Sequence, residues 1–112
     1  MVYIEKRPWG EFKRFTLNEI STVKILEVKP FQVLSLQKHK KRDEMWYFLT
    51  SGYVQIGNKK RKVKANEIIK IKKGTLHRLY AKFRKVKVLE ISFGKFDEND
   101  IIRVDDIYKR IK

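Results

Sequence analysis

Short segments in which apolar and polar residues alternate run through most of the chain. The clearest are 23–28, 69–72 and 86–91, where Val, Ile or Leu alternates with Lys or Glu. Alternation of this kind is typical of β-strands with one buried face and one solvated face. Turns rich in Gly, Asn and Lys separate the segments every ten residues or so. The pattern therefore predicts an all-β fold built as a sandwich or barrel of short strands.

The end of the chain has a different pattern. Residues 105–110 read Asp-Asp-Ile-Tyr-Lys-Arg, with the acids first and the bases last. This order suits the dipole of a helix and predicts a short C-terminal helix. The chain has 112 residues and no low-complexity linker, so we expect a single domain spanning 1–112.

The charge of the chain is strongly positive. Lys and Arg number 28 against 13 Asp and Glu, which gives a net charge of +15. Such a charge predicts attraction to phosphorylated small molecules, nucleic acid or an acidic membrane surface. The absence of cysteine excludes a disulfide scaffold and thiolate metal sites. The longest apolar run, Met45–Leu49, is far too short to span a membrane, so we expect a cytoplasmic protein with no membrane partner.

Most of the surplus lysines have an ordinary explanation. Lys70, Lys72 and Lys87 fall on the outward faces of predicted strands, where charge prevents strands of different molecules from pairing. The densest cluster, 59–64, follows Tyr53 and would also suit a nucleic-acid backbone. It spans a hairpin turn and a strand, however, and no motif that reads bases accompanies it. We therefore do not expect nucleic-acid binding.

The only two histidines of the chain lie in segments that could form a metal site. Gln37 and His39 are two residues apart on a predicted strand and so point to the same face. Glu44 opens the next strand, and a turn at Gly74 leads into a strand that begins with His77. If these side chains converge inside a barrel, they form a mixed nitrogen and oxygen site with positions open to substrate. The alternative is two unrelated histidines, on the surface or satisfied by hydrogen bonds.

Four segments resemble one known family. The pattern Gln-x-His-x-x-Arg-x-Glu-x-Trp at 37–46, with Ser-Gly at 51–52, looks like the first cupin motif of type II phosphomannose isomerases. Gly-Thr-x-His-Arg-Leu at 74–79 resembles the second motif. Lys-Arg-Pro-Trp-Gly at 6–10 and the segment 100–108 are similar to the start and the end of the same domain. The resemblance covers almost the whole chain in the same order and spacing.

This resemblance implies a cupin double-stranded β-helix, which is a jelly-roll barrel, and a homodimer. It implies one divalent metal ion, which could be zinc, manganese, cobalt, nickel or iron. In the family, the domain is often the C-terminal part of a bifunctional enzyme with a mannose-1-phosphate guanylyltransferase. The chain has no Gly-rich nucleotide-binding loop, so we expect a stand-alone isomerase-type domain without guanylyl transfer. The metal ligands implied by the resemblance are Gln37, His39, Glu44 and His77.

The family's isomerase interconverts mannose 6-phosphate and fructose 6-phosphate, and the resemblance implies this activity here. Arg42 matches the family's arginine beside the site, and we expect it to act in catalysis and to bind the sugar phosphate. Arg78 is a second candidate for the phosphate, although alternation turns it away from His77. No general base is identifiable. The second motif departs from the family at residues 72, 80 and 81, which leaves open a non-catalytic cupin that holds a metal and binds a sugar phosphate or another small anion.

Overall fold

The computed structural model describes residues 2–107, and within this range all regular secondary structure consists of β-strands. The three alternating segments lie wholly or largely in strands, which confirms the prediction of an all-β fold. The strands are β1 (Tyr3–Arg7), β2 (Gly10–Arg14), β3 (Ser21–Val28), β4 (Leu36–Lys38), β5 (Glu44–Phe48), β6 (Gly52–Ile56), β7 (Lys59–Val63), β8 (Ile68–Ile71), β9 (His77–Tyr80), β10 (Val86–Phe93) and β11 (Ile102–Asp105).

Hydrogen bonding groups these strands into one hairpin and two larger sheets. β1 and β2 form the hairpin, a four-stranded sheet has the order β3-β10-β5-β8, and a five-stranded sheet has the order β11-β4-β9-β6-β7. Every pairing is antiparallel. Most neighbouring strands are far apart along the chain, so each large sheet joins segments that are distant in the sequence.

The two larger sheets enclose a shared hydrophobic core. Trp46, Phe48 and Val88 from the four-stranded sheet meet Val54 and Leu79 from the five-stranded sheet, and none of them is more than 1% exposed. Alternation explains this arrangement, because every second residue of a strand points to the same face. Burying side chains of this size contributes roughly 1.5–3 kcal/mol each. The core therefore holds together the two sheets that carry the site residues described below.

The basic cluster lies on an edge strand. β7 is the last strand of the five-stranded sheet, and its first four residues, 59–62, are exposed while Val63 is buried. Exposed lysines on an edge strand prevent the free backbone groups from pairing with another chain. The position of the cluster thus matches the ordinary explanation of its charge.

The predicted C-terminal helix does not begin at Asp105. This residue ends β11 and pairs with Leu36 of β4, so the first residue of the predicted helix belongs to a strand. The edge of β4 offers hydrogen-bond partners to this segment, whereas a helix of six residues would be marginal on its own. The rest of the prediction from residue 108 onward lies outside the described residues.

Within the described range, no helix is long and apolar enough to cross a membrane.

Gly52 opens β6 at a point where the core leaves no room for a side chain. A Cβ atom there would lie 2.6 Å from Cγ1 of Val86 and 3.0 Å from Cε2 of Phe48. We expect Gly52→Ala to lower the free energy of unfolding by about 1–3 kcal/mol, because these core side chains would have to shift. Urea denaturation measures this loss, and Ser51→Ala at the exposed neighbouring position should stay within about 0.5 kcal/mol of the wild type. An equally stable Gly52→Ala protein would contradict the packing described here.

Candidate metal centre

Two loops bring the histidines to one place. His39 directly follows β4, and His77 opens the neighbouring strand β9, where it pairs with Gln37 of β4. Gly74 turns the chain just before β9 with a φ of 83°, a conformation that favours glycine. Its N–H donates to the carbonyl oxygen of His39 at 2.6 Å. This hydrogen bond ties the loop that carries His39 to the turn that precedes His77.

His39, Glu44 and His77 form a buried cluster. The Nε2 atom of each histidine lies 3.4 Å from Oε1 of Glu44. The potential ligand atoms of the three side chains all lie within 4.8 Å of one another, and none of the residues is more than 3% exposed. The structure thus brings together three of the four side chains that the resemblance implies as ligands.

Hydrogen bonds to backbone carbonyls orient both imidazole rings. Nδ1 of His39 lies 2.6 Å from the carbonyl oxygen of Asp100, and Nδ1 of His77 lies 2.7 Å from that of Thr75. A carbonyl oxygen can only accept, so each Nδ1 atom carries a proton. The Nε2 atom of a neutral ring then presents a lone pair toward the carboxylate of Glu44, which is itself an acceptor.

Three acceptors that face one another need a cation between them. Buried polar atoms seldom lack a partner, yet within residues 2–107 neither Oε1 of Glu44 nor Nε2 of His77 makes a hydrogen bond. Imidazole nitrogen and carboxylate oxygen are ligands that several divalent transition metals accept. A metal-bound histidine also usually donates a hydrogen bond from its other ring nitrogen, for example to a backbone carbonyl. The three side chains therefore fit a divalent metal ion.

The second oxygen of Glu44 is held by protein donors. Oε2 accepts hydrogen bonds from Nε of Arg42 and from the hydroxyl of Ser92, each at 2.9 Å. Burial alone would raise the pKa of Glu44, but hydrogen bonding to its carboxylate, with the guanidinium of Arg42 among the donors, holds the pKa well below its usual range. Glu44 is therefore an anion at neutral pH, as a metal ligand must be.

Gln37 pairs with His77 across β4 and β9 and so lies next to the cluster. It lines the same cavity as His39 and Glu44. Its Oε1 atom accepts a hydrogen bond from the hydroxyl of Ser35 at 2.7 Å. Because a carbonyl oxygen has two lone pairs, one lone pair of Gln37 remains for a further contact.

Arg42 is buried in the wall of this cavity. Besides its bond to Glu44, its guanidinium donates to the carbonyl oxygen of Asp97 at 3.1 Å and packs over the ring of Phe96, 4.6 Å from the centroid. These contacts hold a planar cation next to the cluster. Arg42 therefore lies beside the three converging side chains.

Arg78 lies on the other side of the five-stranded sheet. Its guanidinium donates to the carbonyl oxygen of Leu34 at 3.0 Å and pairs with Asp105 at 3.3 Å. It lines a separate cavity of about 220 Å³, together with Tyr80. Arg78 thus points away from His77, as alternation along the strand predicts, and the structure does not bring it to the cluster.

A cavity of about 380 Å³ opens beside the cluster, within the range of small-molecule sites. Three cationic side chains line it, from Lys24, Arg42 and Arg103, and so do the carboxyl groups of Glu44, Glu90 and Glu98. Its lining thus combines cations that suit an anionic substrate with carboxyl groups that can accept protons.

Glu90 is a site residue that our sequence analysis missed. It is 7% exposed on β10 and accepts a hydrogen bond from Nε1 of Trp46 at 2.9 Å. Burial and the nearby charge of Glu44 raise its pKa. The sequence does indicate that Glu90 points inward, because alternation puts it on the same face of β10 as Val86 and Val88, which are buried. A carboxylate at an inward position of a core strand marks a polar site rather than packing.

Comparisons with known proteins agree with this fold and this site. The sequence model of the family described as "Mannose-6-phosphate isomerase C-terminal" matches residues 2–106. Mannose-1-phosphate guanylyltransferase 2 of Escherichia coli O157:H7 is 38% identical over 106 residues, which cover 92% of this chain and 22% of that protein. The chain thus spans about a fifth of the length of the curated relatives it matches.

Solved structures show the same architecture. Oxalate decarboxylase from Bacillus subtilis superimposes with a TM-score of 0.69 at 22% identity, covering 77% of this chain and 24% of that chain. A cupin protein from Bacteroides fragilis superimposes with a TM-score of 0.61 at 19% identity, covering 72% of each chain. These similarities confirm the cupin jelly roll that the sequence predicts.

Proposed function

The chain belongs to the mannose-6-phosphate isomerase C-terminal family, and from this premise we propose that it is a metal-dependent isomerase of mannose 6-phosphate and fructose 6-phosphate. The observation that supports this most is the buried cluster of His39, Glu44 and His77. Its acceptor atoms converge beside a cavity large enough for a sugar phosphate, and two of them, Oε1 of Glu44 and Nε2 of His77, lack a hydrogen-bond partner among residues 2–107. A purely structural polar cluster would have its hydrogen bonds satisfied.

The reaction moves a hydrogen between C2 and C1 of the open-chain sugar. It requires a group that carries the proton, a positive charge that stabilises the oxygen that becomes anionic, and a cationic group that binds the phosphate. A divalent ion, when bound, supplies positive charge that stabilises this oxygen. His39, Glu44 and His77 would hold the ion, and Gln37, which lines the same cavity, would contribute a further ligand.

The cations of the cavity wall would bind and orient the substrate. Arg42 is clamped by Glu44 and Asp97, so its charge is already in place when the oxyanion forms. Lys24 packs over the ring of Phe96 at 4.3 Å and lines the same cavity as Arg103. We assign the phosphate to this pair rather than to Arg78, because a substrate in this cavity cannot reach the opposite side of the sheet.

The departures from the family's second motif do not line this cavity. Tyr80 and Ala81 line the separate cavity beside Arg78, and Lys72 is exposed. The sequence leaves open a non-catalytic cupin that binds a sugar phosphate or another small anion, and these departures are its main support. Because none of these three residues lines the cavity beside the metal cluster, the catalytic function is favoured.

A coupled assay of the conversion of mannose 6-phosphate to fructose 6-phosphate tests the proposal. Metal-free protein is reconstituted with zinc, manganese, iron, cobalt or nickel in turn. We expect turnover with at least one metal, and none in the metal-free protein or in a His77→Gln variant. Folded wild-type protein that shows no turnover with any metal would contradict the isomerase function and leave the binding function.

We also propose that the chain forms a homodimer through the apolar outer face of β3. Val23 and Ile25 are 55% and 61% exposed there, on a strand of eight residues at the edge of its sheet. A long apolar edge strand readily pairs with another chain. An apolar contact also avoids the repulsion between lysine-rich surfaces that a charge of +15 creates.

Sedimentation equilibrium at micromolar concentration measures this association. We expect the mass of a dimer for the wild type and that of a monomer for Ile25→Lys, because the introduced charges would face each other across the interface. Lys59→Glu on the opposite sheet is the control and should remain dimeric. A monomeric wild-type protein would end this proposal without affecting the isomerase function.

A further inference from the structure

The isomerase function requires a group that carries the substrate proton, and few side chains of the cavity can do so. Arg42 and Arg103 do not give up their protons in proteins. Both carboxylate oxygens of Glu44 already have a role. Oε2 accepts hydrogen bonds from Arg42 and Ser92, and Oε1 faces the two imidazoles. Lys24 is engaged over the ring of Phe96. Of the carboxyl groups that line the cavity, Glu90 and Glu98 remain.

Glu90 has the position that proton transfer requires. Its partner across the sheet is Trp46, and it lies two residues along β10 from Ser92, which bonds to Glu44. Two residues of a strand span about 7 Å, so the carboxyl group lies near the metal cluster but apart from it. Glu90 lines the same cavity as His39 and Glu44, so a sugar bound there would lie next to all three side chains. Glu98, by contrast, is exposed.

The contacts of Glu90 leave one oxygen available. Its Oε2 atom accepts the indole N–H of Trp46, which is itself fully buried, so the carboxyl group is anchored. This hydrogen bond does not involve Oε1, the other oxygen of the carboxyl group. Burial raises the pKa of Glu90, as it does for carboxyl groups that act as acids and bases, and Lys24 lies opposite it on β3.

We propose that Glu90 is a catalytic residue that transfers the proton between C2 and C1 of the sugar phosphate, an inference that rests on the isomerase function proposed above. Its carboxylate takes the proton from C2, and the C2–H electron pair forms the double bond between C1 and C2. The π electrons of the C1 carbonyl move to O1. Glu90 then returns the proton to C1, while the hydroxyl proton of O2 passes to O1 and C2 becomes the carbonyl. No atom or electron is gained or lost.

Glu90→Gln tests this role, because glutamine has the same shape and can still accept from Trp46 but cannot take a proton. We expect kcat to fall by about 100-fold to 10,000-fold. Exchange of the C2 hydrogen with solvent deuterium should fall in parallel. The bound metal per chain, the melting temperature and the KM should stay close to wild-type values. Glu19→Gln, the same substitution at an exposed glutamate between β2 and β3 that does not line the cavity, should leave kcat unchanged.

A second variant separates catalysis from folding. Glu90→Ala removes the carboxyl group, and added formate should restore part of the turnover in proportion to its concentration. Any of three results would overturn the role of Glu90 alone. These are wild-type turnover in Glu90→Gln, loss of bound metal from Glu90→Gln, and a folded Glu90→Ala protein that formate cannot rescue. A wild-type protein that is inactive with every metal would overturn the isomerase function, and this inference with it.

Discussion

Replacing His77 with glutamine should weaken the binding of a divalent metal ion at least about 100-fold. Removing a group that only supports a ligand already costs 10-fold to 100-fold, and His77 supplies one of the three converging donor atoms. Glutamine approaches histidine in volume, so the contact with Trp46, at 5.4 Å between ring centroids, is largely refilled. Competition with a chelator of known affinity measures the effect for zinc and for manganese.

The same substitution should remove the stabilisation that metal gives the fold. An ion that binds only the folded state at 100 times its Kd stabilises it by about 2.7 kcal/mol, which raises the melting temperature by several degrees. We expect this rise in the wild type and in Arg78→Gln, whose side chain lies next to His77 in the sequence but on the other face of the strand. Equal stabilisation of the His77→Gln protein would show that the ion binds elsewhere.

Replacing Arg42 with methionine should destabilise the metal-free protein by about 3–5 kcal/mol. Arg42 and Glu44 form a buried ion pair at 2.9 Å, with side chains 8% and 1% exposed. Removing one partner of such a pair leaves a buried charge without compensation. With metal bound, the ion partly neutralises Glu44, so the loss should be clearly smaller. Urea denaturation with and without saturating metal measures both values.

Lys41→Met provides the matched control for this prediction. Lys41 is adjacent in the sequence, but its side chain is 73% exposed and it pairs with Asp97 only at 3.7 Å. An exposed pair of this kind contributes at most about 1 kcal/mol, whether metal is present or not. If Arg42→Met lost the same free energy with and without metal, Glu44 would not be a metal ligand in this protein.

The sequence contains enough information to predict the strands and three members of the cluster. Alternation marks β3, β8 and β10, because each has one face in the core. His39 and Glu44 lie in one short motif and His77 follows a glycine turn, so local patterns mark them as candidates, and the family resemblance implies them as ligands. Alternation along β9 also predicts that Arg78 points away from His77.

The rest of the site depends on which strands pair, and no local pattern shows this. Lys24 faces the cavity because β3 pairs with β10, and Arg103 does so because β11 pairs with β4. The same pairing of β11 explains why Asp105 lies in a strand and not in a helix. The alternation along β10 predicts that Glu90 points inward. The sequence of a single strand does not show, however, that this inner face borders a metal cluster.

We propose that the cluster of His39, Glu44 and His77 holds an ion on which isomerisation depends. Titrating metal into metal-free protein, with bound ion and turnover of mannose 6-phosphate measured in the same sample, tests it most directly. We expect turnover to rise in proportion to the bound ion and to level off at one ion per chain, and we expect neither change in His77→Gln. Turnover by the metal-free protein, or turnover that does not follow the bound ion, would contradict it.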